Sequence, residues 1–348
     1  MYRTPASAAS IASIASIASP ARRAGLIRLA AATLLLAAGA VHMGSAMAQS
    51  YPTRPVRLVV GFPSGTGPDL VARIVAQKLQ EATGQGFVVD NKTGAAGLIA
   101  ARESAKAAPD GYTLFLGTVG EMAISPNTYT KLGFDPVKDF SPISHVVTSD
   151  FAFVVPTSVP AKNLKEFVEW GKTQKNLFMG TFGAGTPGHF GIAMLADATQ
   201  LKMEAVHYKN TGDAMSGVIS GDTQGLFGTL ALVSSHVKGG KLRALATTGP
   251  ARSTMLPDVP TAKEQGYPSV EFGAWFGIYA PAKTPNDILD KLNTEIVKAM
   301  QAPEVKEKLQ GAGFRVAGSS RQDFDRLLRE DLPRWEKVVK ATGFKAQE

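Results

Sequence analysis

The sequence predicts a two-lobed α/β fold with a ligand cleft between the lobes. Three observations carry that expectation. Strand-like and helix-like patterns alternate from residue 51 onward, which calls for α/β layers. Small-residue loops repeatedly stand between a β-branched run and a helical stripe. Two long extended stretches, 140–156 and 271–280, stand where the chain would cross between lobes and return.

Residues 1–48 read as a secretory leader outside the fold. Arg22, Arg23 and Arg28 precede an apolar run at 29–38, and Ala46-Met47-Ala48 offers a small-x-small site, so cleavage is expected after Ala48. The run is shorter than the ~20 residues a spanning helix needs. The 348-residue chain carries 37 Lys+Arg against 29 Asp+Glu, a net charge of +8. Four of those arginines and no acid lie in the leader, so 33 bases face 29 acids in the mature chain, a net charge of +4. That balance is mild, and no basic run is interleaved with aromatics, so nucleic acid is not an expected partner. The lack of cysteine excludes disulfides, thiolate metal sites and a cysteine nucleophile. The mature protein is expected to be soluble and exported.

The unit at 56–79 sets the theme. Val56-Arg57-Leu58-Val59-Val60 reads as a strand and 61–69 as a loop. Leu70/Ile74 and Val71/Val75/Leu79 recur at helical spacing. Such a unit places free N–H groups and a positive helix end at the carboxyl edge of a sheet, where open α/β folds hold ligands. A strand at 86–90, a loop at 91–97 and a helix at 98–107 follow, closed by the turn Pro109-Asp110-Gly111. Residues 112–116 form a strand with 117–120 as its flexible exit. Within 140–156, Thr148-Ser149-Asp150 is expected to break two extended halves, and the first crossing is placed there.

The capping-box pattern from Asn163 to Glu166 opens a helix to about 174. Next come a strand at 177–180, a three-glycine loop at 181–188, a helix at 189–199, a strand at 205–208, a loop at 209–212 and a helix at 213–220. Short strands at 226–227 and 242–247 precede the return crossing. The C-terminal part is helical. Thr284, Pro285 at the first helical position and Asp287 open one helix, and Pro303 opens another to 311. Ser320 with Asp323 opens a last one to about 340, which Pro333 is expected to kink or split.

Catalytic patterns are missing. The first loop lacks the lysine of a phosphate loop and the third glycine of a dinucleotide fingerprint. No Gly-x-Ser-x-Gly, His-x-x-x-His or His-Glu-x-x-His occurs, so no catalytic residue, metal ligand or cofactor is assigned. Beyond the leader stand His145, His189, His207 and His236; His189 follows a glycine loop and could line a cleft, whereas His207 reads as structural. Three loops stand out after strands, 65–67, 117–120 and 183–188, because small residues let backbone amides approach a ligand. Thr66, Thr118, Thr181, Thr186 and Thr229 add hydroxyls. Asp69 has two readings, an N-cap of its own helix or a contact to a ligand donor.

These residues resemble the tripartite tricarboxylate transporter receptor family, also called Bug solute-binding proteins, over nearly the whole mature chain. The stretches that carry the resemblance are Tyr51-Pro52-Thr53-Arg54-Pro55-Val56-Arg57-Leu58-Val59-Val60, Phe62-Pro63-Ser64-Gly65 with Asp69, and Ala108-Pro109-Asp110-Gly111-Tyr112-Thr113-Leu114. Gly240-Lys241-Leu242-Arg243-Ala244-Leu245-Ala246, Leu256-Pro257-Asp258-Val259-Pro260-Thr261, Trp275-Phe276-Gly277 and Ala280-Pro281 complete it.

The resemblance implies a periplasmic, type II Venus-flytrap protein, with lobe 1 at 51–149 plus 273–348 and lobe 2 at 150–272. It implies no enzyme activity and no cofactor. It implies a small organic acid held between the lobes, a di- or aromatic carboxylate, and delivery by a monomeric receptor to a tripartite tricarboxylate-type permease. Carried over by position, the ligand-binding residues are Phe62, Ser64, Gly65, Thr66 and Asp69, then Gly183, Gly185, Thr186 and His189, then Tyr208 and Asn210; Thr118 and Thr229 join them as strand-end hydroxyls.

The chain departs from the family pattern at three places. Thr66 stands at a usual glycine, Gly94-Ala95-Ala96-Gly97-Leu98-Ile99-Ala100 replaces a glycine-richer loop, and Gly228-Thr229 replaces Asp-Asn. Loss of an acid at the last of these favours a ligand without an amino group. The alternative readings are a ligand-sensing periplasmic subunit and a secreted α/β enzyme.

Overall fold

The computed structural model describes residues 51–208 and 211–346. Residues 1–48, expected to be a secretory leader cleaved after Ala48, lie outside the described residues, as does Asn210. Strand β1 (Val56–Val60) leads through a loop into helix α1 (Gly67–Thr83), and β2 (Phe87–Asn91) through a second loop into α2 (Leu98–Ala105). Strand β3 (Thr113–Thr118) runs into a π-helical turn, Gly120–Ile124, and the short α3 (Ser125–Thr128). After the long β4 (Phe140–Pro156) come α4 (Leu164–Lys172), β5 (Leu177–Thr181), α5 (Pro187–Thr199), β6 (Met203–His207) and α6 (Thr211–Ser220). Then follow β7 (Gly225–Thr229), α7 (Leu230–Lys238), β8 (Leu242–Thr247), β9 (Gly273–Pro281), α8 (Asn286–Gln301), α9 (Pro303–Gly311), β10 (Phe314–Val316) and α10 (Arg321–Thr342).

The strand order is β2-β1-β3-β9-β4-β7-β5-β6, with β8 and β10 also on β4. Strand β1 lies parallel to β2 and β3, and β5 lies parallel to β6 and β7. Parallel strands are covered on both faces, hence the unbroken apolar run of β1, whose Val56, Leu58, Val59 and Val60 are fully buried. Strand β4 carries the change of partners. Its residues 140–150 pair with β9, and from Phe151 onward they pair with β7 and β8. The carboxyl ends of β1 and β3 belong to one half of the sheet, and those of β5 and β7 to the other.

Helix α1 shows why the opening unit folds as it does. Val71, Ile74, Val75 and Leu79 form its buried stripe, and each fully buried aliphatic side chain stabilises the fold by about 1.5–3 kcal/mol. Gly84 ends it in the left-handed region, φ 71°, returning its N–H to the Gln80 carbonyl.

Four expectations need correction. Residues 117–120 are not a flexible exit: Gly117 and Thr118 complete β3, and the chain turns directly into helix. A Cβ at Gly117 would sit 2.8 Å from the Phe115 ring and 3.1 Å from Met122 and Tyr279, so this glycine serves packing. Thr148-Ser149-Asp150 does not break β4, because all three pair with β9. Helix α7 and strand β10 were not foreseen. Pro333 does not split α10, which runs unbroken past it, and Pro285 is the N-cap of α8 rather than its first residue.

One apolar core runs through both halves. Phe115, Phe140, Tyr279 and Phe324 pack under the first, and Phe153, Phe167, Phe190, Phe227, Phe272 and Trp335 continue it under the second. The C-terminal α10 joins the two. Its Asp331 accepts the Trp275 indole N–H at 2.5 Å, while its Trp335 meets Phe190 and Phe272. Beside the partner change in β4, Arg315 of β10 makes a two-pronged ion pair with Asp150, at 3.1 and 3.2 Å.

Candidate functional site

The first loop is held from below by Asp69. Its carboxylate is almost fully buried. Oδ2 accepts the Gly65 amide at 2.9 Å, the Arg73 Nε–H at 2.8 Å and the Ser64 hydroxyl at 3.5 Å, and Oδ1 accepts the Asn91 amide at 3.0 Å. Burial opposes its ionisation, but the bonds from Arg73, Gly65 and Asn91 prevail and hold its pKa at about 2. Both oxygens are therefore engaged within the chain. Asp69 is the third residue of α1, and it reaches back to the loop in the manner of a capping-box acid. Asn91 also donates to the Phe62 carbonyl at 2.9 Å, so one side chain from the end of β2 ties the loop at two points. Nothing in the local pattern around Asn91 marks this role; it follows from the pairing of β2 with β1.

Thr66 is the N-cap of α1, yet its side chain does not cap the helix. Its hydroxyl donates to the Pro63 carbonyl at 2.7 Å instead, and Gly65 turns the loop at φ 82°. The first-turn amides of α1 thus stand without an N-cap side chain. Ser64 and Gly65 are exposed and Phe62 is half-buried. The second loop is unusual in its backbone. Ala95 and Ala96 both sit at positive φ, 46° and 52°, followed by Gly97 at 92°.

Thr118 is buried at the end of β3. Its hydroxyl and amide both point at Glu121 Oε2, the amide at 3.1 Å. Glu121 itself is fully buried, and burial raises its pKa to about 7 against the hydrogen bonds from Thr118.

In the other half, the loop before α5 is built around His189. The Gly185 amide donates to His189 Nδ1 at 3.1 Å, which leaves the ring proton on Nε2. Burial, then the neighbouring His207, lowers its pKa to about 4. Thr186 caps α5 by accepting the His189 amide at 3.3 Å, and its hydroxyl donates to the Gly183 carbonyl at 2.9 Å. His207 Nδ1 lies 2.8 Å from the Thr181 hydroxyl. The ring of Phe344, beyond the end of α10, covers Gly185 and meets His189 edge-on at 5.3 Å between centroids. The Tyr208 hydroxyl end lies against Gly217 of α6, where a Cβ would be 2.1 Å away. Thr229 ends β7 and begins α7, and like Thr66 it gives its helix no side-chain cap.

The structure therefore brings Phe62, Ser64, Gly65, Thr66 and Asp69 together on one loop, and Gly183, Gly185, Thr186 and His189 on another. The Thr118 hydroxyl is bonded to Glu121, and the Tyr208 ring lies against Gly180 and Gly217. Among the described residues no group of three or more His, Asp or Glu side chains could hold a metal ion, and no helix is long and apolar enough to cross a membrane.

Strand-end loops in each half of a doubly built α/β molecule define a two-lobed solute-binding protein. Residues 71–344 match the model of the tripartite tricarboxylate transporter family receptor, and the chain belongs to that family of periplasmic receptors. A UPF0065 protein of Bordetella bronchiseptica is 32% identical over 323 residues, 92% of this chain and 96% of its own. The structure of R. palustris Rpa4515 with adipate is 33% identical with a TM-score of 0.74, covering 85% of this chain and 99% of that one. That of MatC (Rpa3494) from Rhodopseudomonas palustris with bound malate is 30% identical with a TM-score of 0.70, covering 83% and 100%.

Proposed function

We propose that this receptor captures a small dicarboxylate between its two lobes, 51–149 with 273–348 and 150–272, and delivers it as a monomer to a tripartite tricarboxylate-type permease. The observation that carries the reading is a pair of threonines, one in each half, that leave the helix start after them open. Thr66 and Thr229 stand at the N-caps of α1 and α7, one in each half, and neither caps its helix, whereas Thr186 does cap α5. An anion suits the N–H groups and positive end of such a helix. Two of them, one per lobe, suit an acid with a carboxylate at each end. The adipate and malate in the R. palustris structures support that class. Asp69, Asn91 and His189 act as positioning groups that shape the two loops. Closure follows from tighter binding to the closed form.

Calorimetric titration with adipate, malate, an aromatic acid and an amino acid tests this. Binding of a diacid, its mass unchanged afterwards, with about tenfold or greater weakening in both Thr66→Asp and Thr229→Asp, whose carboxylates would take the helix-start N–H groups and repel an anion, is expected. Tight binding of an amino acid and of no plain acid overturns it.

A further inference from the structure

Glu121 is absorbed by no part of the binding scheme. It is the second residue of the π-helical turn after β3 and is fully buried. Its Oε2 takes both the amide and the hydroxyl of Thr118, while its Oε1 is buried with no hydrogen-bond partner among the described residues. Native proteins rarely leave a carboxyl oxygen in that condition.

Where Oε1 points is more informative. It lies against Gly97, where a Cβ would be 2.2 Å from it, and against Gly61, where the distance would be 3.1 Å. Gly61 follows β1 and opens the first loop, and Gly97 closes the second loop at the start of α2. The two glycine backbones touch, the Gly97 Cα lying 2.6 Å from a Cβ built on Gly61. Only glycine at both positions admits the carboxyl group so close beneath the junction of the two loops. Oε1 therefore lies directly against the backbone that opens the first loop and closes the second.

Among the described residues no cation pairs with the group. The titratable side chain facing it from β9 is Tyr279, whose buried hydroxyl also lacks a partner there and whose ionisation Glu121 opposes. From α10 the nearest acids acting on that tyrosine are Asp325, paired with Arg329, and Asp331, bonded to Trp275. Thr118 from β3 and the loop glycines are uncharged. A second negative charge in this setting would repel a bound carboxylate across a poorly screened gap.

We propose that Glu121 is the protonation gate of the carboxylate site: the neutral acid admits an anionic ligand at the first loop and the start of α1, and the ionised form repels it. This inference rests on the proposed carboxylate reading of the site. By reciprocity, binding an anion draws a proton onto Glu121. Its buried, unpaired state places that exchange near neutral pH, its pKa standing at about 7.

The test uses adipate, titrated by calorimetry from about pH 6 to about pH 8 in buffers of low and high ionisation enthalpy, with wild type and Glu121→Gln. Wild type is expected to take up about half a proton on binding near pH 7 and close to one toward pH 8. Its affinity should fall at higher pH with a limiting slope of about tenfold per pH unit. In Glu121→Gln both effects should vanish. Equal proton uptake and parallel pH profiles in the two proteins, with adipate still bound, overturn the gate and leave the carboxylate reading intact. Should Glu121→Gln not fold, the wild type decides alone: binding without proton uptake overturns the proposal. Failure of wild type to bind adipate, malate or any other acid at either end of the range overturns the carboxylate reading and the gate with it.

Discussion

At the scale of single residues, the first loop is shaped by side chains bonded within the chain. Asp69 illustrates this best. Its carboxylate is ionised well below the usual range, its pKa moved from 3.8 to about 2. A depressed pKa contributes stability that is fully present above the unfolded value and is lost as pH falls through the folded value. Asp69→Asn is therefore expected to cost about 2 kcal/mol near neutral pH and to flatten the acid limb of a urea-denaturation profile between about pH 4 and pH 2. An unchanged acid limb would remove the ion pair with Arg73 from this account. Of the candidate site, the loops and the positions of their threonines are legible, because glycine, proline and small polar residues announce a turn locally. Asn91 and Glu121 are not, since their roles depend on which strand lies beside them.

At the scale of elements, the second loop is strained. Ala95 and Ala96 occupy the left-handed region, where an L side chain costs about 1–2 kcal/mol. Ala96→Gly is expected to stabilise the protein by about 1 kcal/mol in equilibrium urea denaturation, since glycine accepts that backbone without the clash. Destabilisation instead would mean that the alanine methyl packs to better effect than the backbone suffers. Helix α7 escaped the sequence because Leu230, Val233 and Ser234 supply too short an apolar stripe to stand out between two glycine-flanked strands. Strand β10 escaped for a related reason. Three residues carry no period, and only the antiparallel register with residues 147–149 makes them a strand.

At the scale of the whole molecule, the two halves share too much to unfold separately. The described residues from Pro52 onward hold together as one unit. Strands β4 and β9 and helix α10 contribute to a core that passes beneath both sets of loops. Gly277 lies at the centre of this arrangement. It pairs with Gly117 on one side and His145 on the other, and a Cβ there would be 1.9 Å from the Phe324 ring. Gly277→Ala is expected to destabilise the protein by about 2–4 kcal/mol through overpacking and to lower a single calorimetric transition as a whole. A split into two transitions would show that the lobes are energetically independent.

The sequence alone determined the α/β class, the order of most strands and helices and the loops that follow the leading strands. Hydrophobic period, proline and glycine placement and capping residues are local signals, and they suffice for that. The tertiary structure alone decided which polar groups remain open. Thr66, Thr186 and Thr229 look alike in the chain, yet only Thr186 caps its helix. Thr118 reads in the chain as a strand-end hydroxyl, and only the fold turns that hydroxyl onto Glu121. Hydrogen-bond partners and burial depend on residues far apart in sequence, and those become neighbours only when the sheet assembles.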